Sequence, residues 1–148
     1  MSKPVIGFVG LGLMGGNMVE CLQTKGYRLV ILDRNQQTTE AVVGRSGAVA
    51  ASPTELAAAS DIVMLCVTTS AMVEGLVYGD NGILAGIKPG AVLIDFGTSI
   101  PPSTRQIGAD LAKRGAGMID ARWAAHRPRP RKASSTSWPP VSRRLSTR

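Results

Sequence analysis

The chain has few of the side chains that build metal sites and disulfide frameworks. Its 148 residues include two cysteines and one histidine. Cys21 and Cys66 are far apart in the sequence and form no Cys-x-x-Cys motif, and no cluster of histidines accompanies them. The sequence therefore predicts neither a metal site nor a disulfide network, and we expect both thiols to be core residues. His126 is expected to have no ligand role.

Long hydrophobic runs are also absent. No uninterrupted apolar run approaches the roughly 18 residues that a membrane-spanning helix needs. Residues 1–4 lead directly into a strand-like segment and have no signal-peptide pattern. We therefore expect one domain of cytoplasmic location with no membrane partner.

Acidic residues are missing from the last part of the chain. Residues 122–148 hold 8 Lys+Arg and no Asp or Glu, whereas residues 1–121 hold 9 Lys+Arg and all 10 acids. The net charge of +7 is thus the sum of −1 and +8. The Arg/Pro/Ser composition of the second part has no helical or strand period, which predicts a disordered basic tail over 122–148 after a folded domain over 1–121. Binding of the tail to nucleic acid is a disfavoured alternative, because folded context and interleaved aromatics are scarce.

Short apolar runs alternate with helical stretches between residues 4 and 121, as in α/β proteins with a doubly wound parallel sheet. We predict strands over 5–9, 28–32, 48–50, 62–67, 91–95 and 117–120. Their order in the sheet is expected to be 3-2-1-4-5-6. Three helical features are clear: an apolar stripe formed by Met14, Met18, Cys21 and Leu22, which we expect to lie in the core, a capping box that opens at Ser52, and a helix over 71–78.

A glycine-rich motif follows the first predicted strand and opens the first helix. It reads Gly10-Leu11-Gly12-Leu13-Met14-Gly15, a Gly-x-Gly-x-x-Gly pattern. In this context the first glycine permits a tight turn, the second lets the backbone approach a pyrophosphate, and the third lets the helix pack close to the sheet. The helix N-terminus then favours an anion. The six residues are predicted to bind a dinucleotide, although a merely tight strand-to-helix turn is the alternative.

Two charged residues follow the second predicted strand. Asp33 lies 18 residues after Gly15, where a carboxylate can accept hydrogen bonds from the adenosine ribose and would repel a 2′-phosphate. Arg34 beside it could pair with a 2′-phosphate or lie over the adenine. Asp33 favours NAD and Arg34 favours NADP, so the expected cofactor is NAD(P). Asp33 could instead cap the helix that follows.

The same motif carries a family resemblance. Residues 6–15 with Asn17 and Met18 closely resemble the opening signature of the β-hydroxyacid dehydrogenases, the group of 3-hydroxyisobutyrate dehydrogenase and tartronate semialdehyde reductase. The resemblance continues through 33–35, 82–84, 88–90, 94–98 and 119–121. It implies an oxidoreductase that transfers a hydride between a nicotinamide and a small 3-hydroxy acid or its semialdehyde.

The resemblance also implies site residues beyond the glycine motif. Val67 and Thr68 would lie along the nicotinamide, and Thr98 would meet the nicotinamide ribose while Ser99 would meet the substrate. After the aspartate that ends the fifth strand and one variable residue, the family usually has two hydroxyl residues in succession. In this chain an additional residue, Gly97, precedes the hydroxyl residues Thr98 and Ser99. Thr98 and Ser99 could alternatively cap the next helix.

The second half of the family pattern is missing from the chain. The family continues Asp-Ala-Pro-Val, then has a Gly-rich substrate loop, a catalytic lysine and a helical domain, whereas this chain continues Asp120-Ala121-Arg122-Trp123. Residues 122–125 can be encoded by the codons CGG TGG GCC GCA. Inserting one C before the first codon shifts the reading frame, which then encodes Pro-Val-Gly-Arg. This predicts a frameshift after Ala121. No catalytic residue carries over, so an inactive dinucleotide-binding fragment is the alternative to an enzyme, and its exposed apolar surface is expected to favour self-association.

Overall fold

The computed structural model describes residues 2–43 and 47–122, and all of the predicted basic tail after residue 122 lies outside the described residues. Strands and helices alternate along the chain. They are β1 (Ile6–Val9), α1 (Leu13–Thr24), β2 (Leu29–Leu32), α2 (Gln36–Val43), β3 (Gly47–Val49), α3 (Pro53–Ala59), β4 (Ile62–Leu65), α4 (Ser70–Tyr78), α5 (Ile83–Gly86), β5 (Val92–Asp95), α6 (Pro101–Lys113) and β6 (Gly117–Asp120).

The six strands form one parallel sheet in the order β3-β2-β1-β4-β5-β6. This confirms the predicted doubly wound α/β fold. The apolar strand residues divide between two buried clusters, because helices cover both faces of the sheet. One cluster includes Phe8 of β1 and Val19 of α1, and the other includes Leu65 of β4 with buried residues of α3 to α6. The strand order reverses between β1 and β4, which pair with each other in register from Ile6↔Ile62.

The orientation of α1 corrects part of the sequence prediction. Gly15 and Val19 are the buried residues of this helix, with Met18 and Leu22 partly buried beside them. Met14 and Cys21 are exposed, so the prediction that they belong to the core was wrong. The helix turns this face inward because Gly15 has no side chain: a Cβ there would overlap the carbonyl oxygen of Gly10.

The predicted capping box at the start of α3 is confirmed. The Ser52 hydroxyl accepts a hydrogen bond from the Glu55 N–H at 3.2 Å, and Pro53 follows as the first helical residue. The Glu55 carboxylate accepts the N–H of Ala51 at 2.7 Å, one residue earlier than a standard box. Local sequence alone therefore determines where this helix begins.

The outer strand β6 pairs with β5 along one side, and in the described part of the chain no strand pairs with its other side. Three of its four residues are exposed, and Ile119 keeps 50% of its surface in contact with solvent. An apolar residue on an open sheet edge is an association hazard. Within the described residues β6 is therefore an open edge of the sheet that carries an exposed apolar side chain.

Candidate functional site

A crevice opens at the carboxyl ends of β1 and β4, the two strands between which the sheet order reverses. In open α/β sheets this switch point is where ligands bind. The crevice contains a cavity of about 340 Å³. Its lining residues come from the ends of β1, β2 and β4, the glycine motif and α4: Val9, Gly10, Gly12, Leu32, Asp33, Arg34, Cys66, Val67, Thr68, Met72 and Leu76.

The three glycines of the motif serve different purposes. Gly10 has φ +94°, and a Cβ there would overlap the carbonyl oxygen of Cys66. Gly15 is equally crowded, so the fold itself requires both glycines. A Cβ on Gly12, in contrast, would meet no atom of the residues that the structure describes within 4 Å apart from its chain neighbours, although this residue borders the cavity. The space in front of the Gly12 backbone is therefore open to a ligand.

The first turn of α1 presents positive backbone charge to this space. Gly12 is the N-cap residue, no side chain caps the helix, and its first turn holds no acidic residue. The N–H groups of a helix start and the positive end of its dipole favour an anion such as a phosphate. Leu13 and Met14 in this turn are exposed, whereas Leu11 before it is buried. The loop thus offers backbone groups rather than charged side chains.

Asp33 connects the end of β2 to the glycine motif. Its Oδ2 accepts the backbone N–H of Leu11 at 2.6 Å, and its Oδ1 accepts that of Asn35 at 2.7 Å. The Asn35 side chain in turn accepts the N–H of Gln37 at 3.1 Å, at the start of α2. The side chain that accepts a hydrogen bond at the start of α2 is therefore that of Asn35. The Asp33 side chain instead links the glycine motif to the segment between β2 and α2.

A second, shallower cavity of about 420 Å³ adjoins the crevice between Arg34 and α4. Met72, Gly75 and Leu76 line it on the helix side. Arg34 is exposed and forms no ion pair with any described residue. A guanidinium opposite two apolar side chains suits a flat aromatic base. Such a base can stack on the guanidinium of Arg34 and contact the apolar side chains of Met72 and Leu76 with its other face.

Of the residues predicted to meet the nicotinamide and its ribose, two line the cavity and Thr98 does not. Val67 and Thr68 line the cavity, and Thr98 is exposed just past β5. Ser99 is buried, and its hydroxyl donates to the Asp95 carboxylate at 2.5 Å. The N–H of Gly97 donates to the other oxygen of Asp95 at 2.8 Å. Neither Thr98 nor Ser99 caps α6, whose N-cap Ile100 donates its N–H to the Ser70 hydroxyl at 2.9 Å.

The structure thus brings Gly10, Gly12, Asp33, Arg34, Val67 and Thr68 together around one cavity. Of the other candidates, Leu11 and Gly15 support the loop from within, Leu13, Met14 and Thr98 are exposed, and Ser99 is turned towards Asp95. The roles of all twelve residues stay predictions.

Sequence reasoning missed the contribution of α4 to the crevice. Met72 and Leu76 recur at i and i+4 beside the buried pair Val73 and Val77, so the apolar surface of this helix is wider than its core face needs. The sequence could have indicated this contribution, because the helix has more apolar positions than one buried face requires.

Cys66 packs, partly buried, against the core cluster of β1, as expected, and it also lines the crevice. The residue is half-buried and follows the last residue of β4. Burial raises the pKa of its thiol, and the charge of Asp95 raises it further. The thiol is therefore a weak nucleophile, which favours a packing role over covalent chemistry.

Other classes of site have little support in the described residues. Within 2–43 and 47–122, no three His, Cys, Asp or Glu side chains lie together as a metal site would require. None of the helices in these two ranges is long and apolar enough to cross a membrane.

Comparison with known proteins agrees with the geometry of the crevice. Residues 5–122 match the family described as the NAD binding domain of 6-phosphogluconate dehydrogenase. A probable 3-hydroxyisobutyrate dehydrogenase-like protein of Arabidopsis thaliana is 38% identical over 120 residues, which are 81% of this chain and 40% of the relative. An NAD-dependent L-serine dehydrogenase of Pseudomonas aeruginosa is 36% identical over 116 residues, 78% of this chain and 39% of the relative.

A solved structure extends the agreement to the backbone. The 3-hydroxyisobutyrate dehydrogenase of Mycobacterium tuberculosis, determined with L-serine, superimposes with a TM-score of 0.70 at 26% identity, over 79% of this chain and 39% of that one. The chain spans about 40% of the length of the curated relatives it matches. By its sequence, its sheet order and its glycine loop, this chain belongs to the family of NAD binding domains of the 6-phosphogluconate dehydrogenase type.

Proposed function

We propose that the crevice binds NAD(P) with its pyrophosphate against Gly12 and the first turn of α1. The observation that carries this proposal is the open space at Gly12. Apart from its chain neighbours, no atom of the described residues would lie within 4 Å of a Cβ at this position, so their packing does not require a glycine there. A pyrophosphate that approaches the backbone does require one. The uncapped helix start beside it supplies the N–H donors.

The rest of the crevice accommodates the two ends of a dinucleotide. The adenosine would lie by Asp33, with its base between Arg34 and the Met72–Leu76 side of α4. The nicotinamide would extend past Val67 and Thr68 towards Thr98. Thr98 is the better candidate for a hydroxyl contact at this end, because Ser99 already donates its hydroxyl hydrogen to Asp95. The substrate role of Ser99 stays a prediction.

We further propose that the chain is the cofactor-binding half of an oxidoreductase of the 3-hydroxyisobutyrate dehydrogenase type. The cofactor would supply the hydride carrier, and a small 3-hydroxy acid or semialdehyde would be the substrate. The dehydrogenase relatives and the resemblance of residues 6–15 support this proposal. The matched region holds no counterpart of the family's catalytic lysine, so the chain itself is expected to bind without catalysis. Its cytoplasmic location stays a prediction.

The two cysteines offer an internal test of cofactor binding. Cys66 lines the crevice, whereas Cys21 is exposed on α1 and is not among the lining residues. Modification by a small maleimide should proceed at both thiols in the free protein, faster at Cys21. Saturating NADH should slow the modification of Cys66 and leave that of Cys21 unchanged, as measured by peptide mass spectrometry.

Two controls show whether the protection of Cys66 is specific to binding of the dinucleotide. Nicotinamide alone should protect weakly, because it lacks the pyrophosphate on which the proposal depends. In the Gly12→Val variant NADH should protect neither thiol. If NADH leaves the Cys66 rate unaltered in the wild-type protein, or protects both cysteines equally, the crevice is not the binding site.

A further inference from the structure

Asp33 is placed to do more than contact a ribose. Its two carboxylate oxygens accept short hydrogen bonds from two different backbone segments, Leu11 in the glycine motif and Asn35 before α2. Bonds of 2.6 and 2.7 Å to an ionised acceptor belong to the strong class of protein hydrogen bonds. The side chain therefore connects the phosphate loop to the end of the neighbouring strand.

The bond to Leu11 lies where the loop is least restrained by its own sequence. Leu11 stands between Gly10 and Gly12, and a glycine gives the backbone more freedom than any other residue. Gly10 is held by its N–H bond to the Leu32 carbonyl at 3.1 Å, and Leu11 is the next residue whose N–H has a partner outside the loop. Without it, the peptide between the two glycines would have only the packing of the Leu11 side chain to orient it.

We propose that Asp33 is a positioning residue that fixes the phosphate loop in its binding conformation before the dinucleotide arrives. A loop already ordered in this way loses less conformational entropy when it binds. The role rests on the proposed function in one respect, since the loop must bind a pyrophosphate for the ordering to matter. The hydrogen-bond arrangement itself exists in the free protein.

The first test measures the loop without any ligand. In the wild-type protein the amides of Leu11 and Gly10, both hydrogen-bonded, should exchange slowly with solvent deuterium. In Asp33→Asn the side chain can keep only one acceptor oxygen for two N–H donors, so we expect Leu11 to exchange roughly tenfold to a hundredfold faster. The Gly10 amide, bonded to backbone, is the internal control and should change by less than about threefold.

An unprotected Leu11 amide in the wild-type protein would overturn the proposal even if the variant does not fold. An equal acceleration at Gly10 and Leu11 would also overturn it, because it would report general loosening of the segment that follows β1 rather than release of one bond.

The second test separates positioning from ribose recognition. Binding of NADH is compared with binding of an NADH analogue whose adenosine ribose lacks both hydroxyls, for the wild-type protein and for Asp33→Asn. A positioning role predicts the same fold-loss of affinity for both ligands, of roughly tenfold or more. A loss confined to the ligand with ribose hydroxyls would assign Asp33 to ribose binding alone. If neither ligand binds the wild-type protein, the proposed function fails, while the exchange experiment still decides the role of Asp33.

Discussion

Substitution of Gly12 by valine should affect dinucleotide binding much more than it affects the stability of the fold. A Cβ at this position would have no described atom within 4 Å apart from its chain neighbours, so we expect the fold to accept a larger side chain. Its backbone, with φ −57° and ψ −173°, lies outside the positive-φ region that disfavours other residues. The expected loss of stability is about 1 kcal/mol, because glycine is a better N-cap than an apolar residue. Urea unfolding should therefore show a nearly unchanged, cooperative transition.

The effect on binding should be much larger. Each hydrogen bond to a charged phosphate contributes about 1.5–3 kcal/mol. A branched side chain that keeps the pyrophosphate from two N–H groups of the first turn of α1 would cost about 3–6 kcal/mol, at least a hundredfold in Kd. NADH fluorescence titration measures this directly. The opposite pattern is expected for Gly15→Ala, whose Cβ overlaps the Gly10 carbonyl and should destabilise the fold itself by about 1–3 kcal/mol.

Gly108→Ala is the matched control, since its Cβ would make ordinary contacts of 3.9 Å with Met118, away from the crevice. It should bind NADH like the wild-type protein. Wild-type affinity in Gly12→Val would refute the assignment of the phosphate site, whatever its stability.

Four further predictions concern pH, cofactor preference, activity and association. Burial and a hydrogen bond to Asp110 raise the pKa of Tyr78 to about 12, so its neutral form stabilises the fold below pH 10 and this contribution is lost as pH rises towards 12. Above pH 10 the urea midpoint should therefore fall less steeply with pH in Tyr78→Phe than in the wild-type protein. Equal slopes in the two proteins would contradict the assignment. Arg34→Ala should weaken NADPH binding more than NADH binding in paired titrations, and an equal loss would leave only a stacking role. The purified chain should show no turnover with 3-hydroxyisobutyrate or tartronate semialdehyde if it is the cofactor-binding half that we propose, because proton transfer by a general acid/base contributes about 10²–10⁴-fold to the rate. Sedimentation should show self-association that Ile119→Lys reduces, and a strictly monomeric wild-type protein would contradict this.

The sequence predicted the architecture because its signals are local and repeated. Apolar runs, the capping residues at Ser52 and the glycine motif each determine a short segment, and the rules of parallel sheets then determine the strand order. The glycine motif and Asp33 were placed at the crevice for the same reason.

The details that were missed depend on contacts between distant segments. Which face of α1 turns inward depends on how closely Gly15 approaches β1, so Met14 and Cys21 were wrongly assigned to the core. The bond from Asp33 to Leu11 and the inward turn of Ser99 towards Asp95 join residues whose pairing no periodicity records. Such hydrogen bonds become visible only once the chain is folded.

The central claim is that this domain binds a dinucleotide on its glycine loop, and isothermal titration of the wild-type chain with NADH and NADPH tests it most directly. We expect weak but saturable binding of at least one of the two at one site per chain, with competition from ADP-ribose, which keeps the pyrophosphate, and none from nicotinamide mononucleotide at the same concentration. The absence of saturable heat with both dinucleotides would contradict it.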